Sequence, residues 1–458
     1  MGSKRNDWYS HMYRINATTL WIWLVVTKSE SRILVSDECY EQKRKEINRL
    51  TLLLRTSYYD EHKNESEVYQ RPHGGKMTES IGAWPEYILK GTFCKRSFRG
   101  LCSPCFYSRL PIAKHEKRDY MAMVRQQCMF IVDHFKNEVI DKQIGKTHIE
   151  SPRFSEEPCS LVLTPTGSFF DDTEFPVELR IEVLEKMVDC SHDLKRDIVL
   201  HIESHAEDVL SYDFESETSK HELELLRQLN SKVILGFESS DEYMRNVLYN
   251  KCLKIDDFVL AVSKLQNIGL SVGAFVFAGL LSANDMQTKD DVLKSIEFLW
   301  EHAVYPVMMF QNLQEYTITD MFYQNGTINL LEPFTVLDIV SEFLKRLPLP
   351  NLYWLIADPI GGPPKPKDNI FACAKITCSS CSEKIYNSLV DLRTRRDISR
   401  FLLESSSIKK CECYTTYIKA MQTQSTAFTE LVLKTEQLLS VAASLLPNYL
   451  HSIIRRKS

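Results

Sequence analysis

At 458 residues, with 44% hydrophobic and 26% charged residues, the chain has ordinary globular composition and is long enough for two or three domains. Its formal net charge of -5, from 56 basic and 61 acidic residues, excludes a uniformly basic surface, so any nucleic-acid contact needs a local basic patch. The odd total of 13 cysteines argues against a fully paired secreted disulfide framework and for thiols kept reduced in the cytoplasm and used as metal ligands.

The opening MGSKRNDWYS is polar and predicts no secretory leader. The apolar run LWIWLVV (20–26) is too short to span a bilayer and reads as a buried strand. Residues 39–66 read as one charged helix, within which LTLLLRT (50–56) has strand character. HGGKMTESIGAWPE (73–86) carries turn residues and reads as a connection. From residue 87 the pattern alternates. Strands are predicted at 87–93, 159–169, 197–204, 232–239, 270–281 and 304–314, and helices at 116–139, 176–190, near 217–229, 255–269, 290–303 and 334–347. Repeated β-α units of this length predict an α/β fold whose parallel sheet curls into a partial or full (β/α) barrel. In such folds reactive groups sit at the C-terminal strand ends, where CKRSF, TGSFFDD, ESHAED, FESSDE and FAGLLS fall. A stretch rich in Pro and Gly (351–369) marks the next boundary, and the tail 416–454 has helical periodicity. The expected division is an N-terminal extension (1–85), a core (86–348) and a C-terminal Cys-rich and helical region (349–458).

Two cysteine groups carry the chemistry. In CKRSFRGLCSPCFY (94–107), Cys94, Cys102 and Cys105 follow a predicted strand and precede a predicted helix. Three thiolates from one loop can hold three irons of a four-iron cluster and leave the fourth iron free for another ligand. The same three residues also fit unliganded structural thiols, or a zinc site completed by His115 or a distant cysteine. Farther on, Cys378 and Cys381 form C-x2-C and Cys411 and Cys413 form C-x-C, with 29 residues between the pairs. That is the arithmetic of a four-cysteine zinc site, with a second iron–sulfur cluster using Cys373, or free thiols, as the alternatives. Cys39, Cys128, Cys159, Cys190 and Cys252 read as small hydrophobes. The basic run RTRR (393–396) lies between the two pairs, where a nucleic-acid surface or a solvated helix face would fit.

The C-x7-C-x2-C loop, the TGSFFDD turn, the ESHAEDV strand end, GFESSDEYMRNVLYNK and FVFAGLL occur in that order and resemble the radical S-adenosylmethionine (SAM) superfamily over roughly residues 87–415. The wide first spacing is similar to the branch that includes the radical SAM subunit of archaeosine synthase, a tRNA-modifying enzyme. The resemblance implies a [4Fe-4S] cluster on Cys94, Cys102 and Cys105, with SAM on the open iron. It implies SAM contacts from Thr166, Gly167 and Ser168, and from Glu203 and Ser204. Glu238 and Ser239 end the following strand, where a buried carboxylate is costly unless paired; that points to a catalytic site role, with a structural hydrogen bond to a helix start as the alternative. His205 stands where the branch has Arg, and FVFAGLL (275–281) resembles the strand that lines the adenine. Gln311 and Asn312, by position alone, face the substrate. The branch carries a C-terminal cysteine set much like Cys378, Cys381, Cys411 and Cys413, implying zinc there. An electron donor of ferredoxin or flavodoxin type, a tRNA substrate and a separate transferase subunit complete the implied partners, with no membrane. A small-molecule or peptide substrate, and a non-catalytic metal-stapled binding module, are the other readings.

Overall fold

The computed structural model describes residues 37–62, 86–88, 94–96, 102, 117–143, 159–165, 167–279, 281, 283–311, 313, 315–346, 371, 374–395 and 397–457. Six strands form one all-parallel sheet in sequential order: β1 (Glu86–Ile88), β2 (Cys159–Thr164), β3 (Ile198–Ser204), β4 (Lys232–Glu238), β5 (Ser271–Ala278) and β6 (Tyr305–Phe310). The register pairs Leu161 with Leu200, Leu235 with Ala274 and Val276 with Met308. Among the described residues β1 and β6 stay unpaired to each other, so the barrel is partial, as the β-α alternation predicts.

Period-2 alternation sorts the strand side chains. Leu161, Leu163, Leu200, Ile202, Val233, Leu235, Val272, Ala274, Val276, Met308 and Phe310 point outward into the main core under the helices. Ile234 and Val307, with Phe275 and Tyr305, form a small separate cluster on the inner face. The same parity carries Glu203, Glu238, Phe277 and Gln311 toward the interior at the C-terminal ends of their strands.

The covering helices are α2 (Lys117–Gln143), α3 (Val177–Leu194), α4 (Ala206–Ser211), α5 (Glu217–Gln228), α6 (Ile255–Asn267), α7 (Asp285–Glu301), α8 (Ile318–Gln324) and α9 (Pro333–Arg346). Helix α7 starts five residues before its predicted start, because Asn284 and Gln287 form a reciprocal capping box. A π-helical turn occupies Met244–Leu248. Fully buried Arg180 on α3 reaches Glu222 on α5 and, at 2.9 Å, Asp172, which fixes the loop after β2.

Outside the barrel lies α1 (Asp37–His62), and LTLLLRT is helical within it rather than a strand. Ile47, Leu50 and Leu54 are buried at helical spacing while Leu52 and Leu53 are exposed, so the period is 3.6 and not 2. The C-terminal helices are α10 (Ser379–Arg395), α11 (Ile398–Ile408), α12 (Glu412–Gln422) and α13 (Phe428–Lys457). Cys381, Ile385, Leu389, Phe401 and Tyr417 join the main core. A second core joins α1, the π-turn, α8 and α13 through Leu50, Leu54, Val247, Met321, Leu431 and Tyr449. Among the described residues no helix is long and apolar enough to cross a membrane. The predicted strand at 20–26 and residues 73–85 of the predicted connection at 73–86 lie outside the described residues, and Glu86 opens β1.

Candidate functional site at the barrel mouth

Cys94 and Cys102 are both buried, at 6% and 8% exposure. Cys102 has a left-handed backbone, φ 56°. Its N–H donates to the Asn250 carbonyl at 3.0 Å and its carbonyl accepts from Arg55 Nη2 at 3.0 Å. Arg96, 2% exposed, forks onto Glu207, with Nε–Oε1 at 2.9 Å, and donates to the Lys251 carbonyl. Burial pulls the Arg96 guanidinium down, but Cys102, Glu207 and Cys94 outweigh it and hold it above its usual value. Cys105 lies outside the described residues.

The turn after β2 closes on the same place. The buried Glu174 carboxylate accepts the Ser168 N–H at 2.8 Å and the Lys95 N–H at 3.1 Å, joining this turn to the cysteine loop. A Cβ on Gly167 would lie 2.1 Å from that carboxylate, so glycine is required there by Glu174 itself. Burial pushes the Glu174 carboxyl up to about 8, against the two N–H donors that favour its charge. Ser168 Oγ lies 2.7 Å from Ser204 Oγ at the end of β3, and accepts the His205 N–H at 3.2 Å. Lys95 Nζ lies 3.0 Å from Asp171 and also pairs with Asp208. Burial raises Asp208, yet hydrogen bonds from His205 and Lys95 outweigh it and bring it down to about 2. Burial pulls His205 down to about 4. Glu203 is half-buried and its carbonyl accepts the Phe169 N–H at 2.8 Å. Thr166 lies outside the described residues.

Strand β4 ends in a bulge between Gly236 and Glu238, with Glu238 at φ 70°. Its carboxylate pairs with buried Lys251 Nζ at 2.8 Å. Burial lowers the Lys251 ammonium, but Cys102 and Glu238 outweigh it and hold it above its usual value. Ser239 turns away from the mouth: its hydroxyl donates to Asp291 at 2.6 Å and accepts the Asp241 N–H at 3.0 Å. Gln311 is buried, and its Nε2 has no hydrogen-bond partner among the described residues. Asn312 lies outside them.

The second cysteine group assembles as well. Cys378, Cys381, Cys411 and Cys413 bring their Sγ atoms within 4.8 Å of one another. Cys413 Sγ lies 3.3 Å from Cys411 Sγ and 3.6 Å from Cys378 Sγ. A tetrahedral zinc with Zn–S near 2.3 Å has sulfur–sulfur edges of about 3.8 Å, so this donor set fits such an ion. The Cys413 N–H and thiol bring the Cys411 thiol down to about 7. The preceding segment is held by buried Glu332, whose carboxylate accepts the N–H of Lys375, Ile376 and Thr377 at 2.9, 3.0 and 3.0 Å and the Thr377 hydroxyl at 2.9 Å.

Cys94, Gly167, Ser168, Glu203, Ser204 and Glu238 thus share one end of the sheet, while Ser239 is spent on Asp291. Sequence reading missed Glu174, Lys95, Arg96, Asp208, Lys251 and Arg55. The acidic run FFDDTEF is the local signal that could have found Glu174; no local signal marks Arg55.

No family model matches the chain. It is 22% identical over 341 residues to archaeosine synthase subunit beta of Methanosarcina acetivorans, covering 73% of this chain and 84% of that protein. It is 21% identical over 336 residues to an uncharacterised Methanocaldococcus jannaschii protein, covering 73% and 80%. Among solved structures it is similar to Methanocaldococcus infernus Elp3 with an N-terminal deletion, at 15% identity, TM-score 0.35, and coverage of 50% of this chain and 54% of that one. It is also similar to methylornithine synthase (PylB), at 12% identity, TM-score 0.30, and coverage of 66% and 76%. The chain is thus similar in sequence to archaeosine synthase subunit beta across most of both chains, and its strand-end motifs stand in the order of the radical SAM superfamily on a parallel partial barrel.

Proposed function

We propose that the chain is a radical SAM enzyme in which Cys94, Cys102 and Cys105 hold a [4Fe-4S] cluster and the open iron takes the amino and carboxylate groups of SAM. The donor set fits the group: buried thiols sit beside two buried cations, Arg96 and Lys251, that can balance an anionic cluster. When bound, the cluster and SAM supply a 5′-deoxyadenosyl radical by one-electron cleavage of the sulfonium.

The chain's own residues bind, orient and exclude water. The turn of Thr166, Gly167 and Ser168 offers backbone groups to the SAM amino group, and Glu203 and Ser204 end the neighbouring strand beside its ribose or carboxylate. Glu238 faces the interior with its charge balanced by Lys251, which suits a contact to cofactor or substrate; Ser239, through Asp291, holds the end of β4. Phe277 and Gln311 face the same interior by strand parity, one apolar and one a hydrogen-bond donor. Cys378, Cys381, Cys411 and Cys413 hold a structural zinc within the C-terminal region, 349–458, beside the core at 86–348.

The substrate proposed is a modified tRNA base, in the manner of archaeosine synthase, with a carbon–nitrogen bond as the target. A ferredoxin- or flavodoxin-type donor supplies the electron, and a separate transferase subunit is the expected partner, all in a reducing cytoplasm. The observation that carries the reading is the convergence of Cys94, Cys102, Ser168, Ser204 and Glu238 at one end of the sheet. The test is anaerobic reconstitution with iron and sulfide, then dithionite and SAM. Release of 5′-deoxyadenosine supports the proposal; a reconstituted cluster that leaves SAM intact sinks it. Product analysis with tRNA, small-molecule and peptide candidates then separates the substrate classes.

A further inference from the structure

We propose that helix α1 belongs to the cysteine-loop site, with Arg55 as the positioning residue that sets the backbone at Cys102. The inference rests on Cys102 being a cluster ligand, and extends that reading to a segment far outside the motif.

Cys102 is held in a conformation that L-residues adopt at a cost, φ 56°. Such a backbone persists only where its surroundings fix it. Here both peptide groups of the residue are spoken for by segments distant in sequence. The N–H is taken by the Asn250 carbonyl at 3.0 Å, and the carbonyl by Arg55 Nη2 at 3.0 Å. Arg55 is 8% exposed, so its guanidinium makes this bond away from competing water.

The helix that carries Arg55 is itself clamped to the segment that carries Asn250. Tyr40 Oη donates to the Glu242 carbonyl at 3.4 Å and Arg44 Nη1 donates to Cys252 Sγ at 2.7 Å. Farther along the helix, toward Arg55, Ile47, Leu50 and Leu54 pack in one core with Tyr243, Met244, Val247 and Leu248. Helix α1 therefore splints residues 242–252, and the splint and the splinted segment each supply one hydrogen bond to Cys102. Asn250 and Cys252 are also left-handed, at φ 50° and 52°, so this segment too needs external support. The arrangement directs the Cys102 side chain by fixing its backbone from two sides, which is how outer-shell groups orient a metal ligand.

The test uses the full chain with Arg55→Ala and Arg55→Gln, reconstituted anaerobically with iron and sulfide and desalted. Iron and zinc per chain, the electron paramagnetic resonance of the reduced cluster, and circular dichroism are then read. Both variants are expected to retain iron about 10-fold less tightly than the parent, a loss typical of outer-shell partners, with unchanged zinc and helicity. Arg55→Lys, which keeps one donor, restores part of the iron. Parent-like iron retention and signal in Arg55→Ala overturns the proposal, and so does loss of zinc and helicity together with iron in both variants, since that marks a purely structural role. If the parent takes no iron, or Cys102→Ser keeps it, the cluster reading fails instead.

Discussion

Lys251 Nζ lies 2.8 Å from a Glu238 carboxylate oxygen, and a Cβ on Gly236 would lie 2.7 Å from that ammonium nitrogen and 3.3 Å from that oxygen. The pair closes a circuit at the barrel mouth. Lys251 gives its carbonyl to Arg96, its neighbour Asn250 gives a carbonyl to Cys102, and Glu238 ends the strand whose bulge turns it inward. A carboxylate with little access to water is costly unless paired, and buried Lys251 is the partner that Glu238 finds at the inner face.

Gly236→Ala tests that pair. The added Cβ would lie 2.7 Å from Lys251 Nζ, close enough to push the ammonium off its partner. The far end of a lysine can swing away, so the barrel is expected to fold, leaving Glu238 without its cation. A lost charged hydrogen bond in a mostly buried place costs about 2 kcal/mol. The expected outcome is weaker SAM binding by up to roughly 30-fold in isothermal titration of the reconstituted protein. Parent-like affinity would separate the pair from the SAM site.

Cys102→Ala should remove the brown chromophore and reductive SAM cleavage together, while zinc content stays at the parent level. The two cysteine groups use different segments: Cys102 sits at the mouth and the other thiols lie at the N-terminal ends of α10 and α12. Absorbance near the thiolate-to-iron band and metal analysis read both at once. A Cys102→Ala protein that still cleaves SAM at the parent rate would show that the loop has been misassigned.

Glu332→Gln addresses the other cysteine group, the proposed zinc site. One carboxylate holds three successive N–H groups and a hydroxyl just ahead of Cys378, and Glu332 N–H is itself held by Asp285 at 2.9 Å. The amide removes the charge and one acceptor, so the segment loses about 2 kcal/mol of anchoring. Zinc release to a metallochromic chelator is expected to quicken roughly 10-fold, with iron retention unchanged. Unchanged release would place the anchoring of Cys378 elsewhere.

What sequence could reveal followed from separation along the chain. The strand and helix order was legible because each element repeats its own period, and Cys378 to Cys413 were legible because their pairs are close in sequence. Short α4 and α8, of 6 and 7 residues, complete too few turns for periodicity to mark them. LTLLLRT misled because leucines at 52, 53 and 54 are apolar on every face, and only packing shows that Leu54 is buried and Leu53 is not. The mouth was half legible: strand-end residues could be named, but their partners could not. Arg96 and Lys251 are 155 residues apart and Lys95 and Asp208 are 113 apart, distances over which no local pattern carries information. Ser239 was singled out for its place at a strand end, yet its hydroxyl serves Asp291 on α7.

That Ser239–Asp291 contact makes a prediction about pH. Asp291 is 4% exposed, accepts one hydroxyl at 2.6 Å, and its Oδ2 has no hydrogen-bond partner among the described residues. Burial pushes its carboxyl from 3.8 up to about 8. Between those values the folded chain binds a proton that the unfolded chain releases, so stability from this group is full below pH ~4 and is lost as pH rises through ~8. The neutral acid is the form the site prefers, so Asp291→Asn keeps the shape and removes the titration. Chemical denaturation across pH 5 to 9 should show the parent losing on the order of a few kcal/mol relative to Asp291→Asn as pH rises. Parallel pH curves for the two proteins would mean that Asp291 is ionised in the folded chain and that an unseen donor satisfies Oδ2.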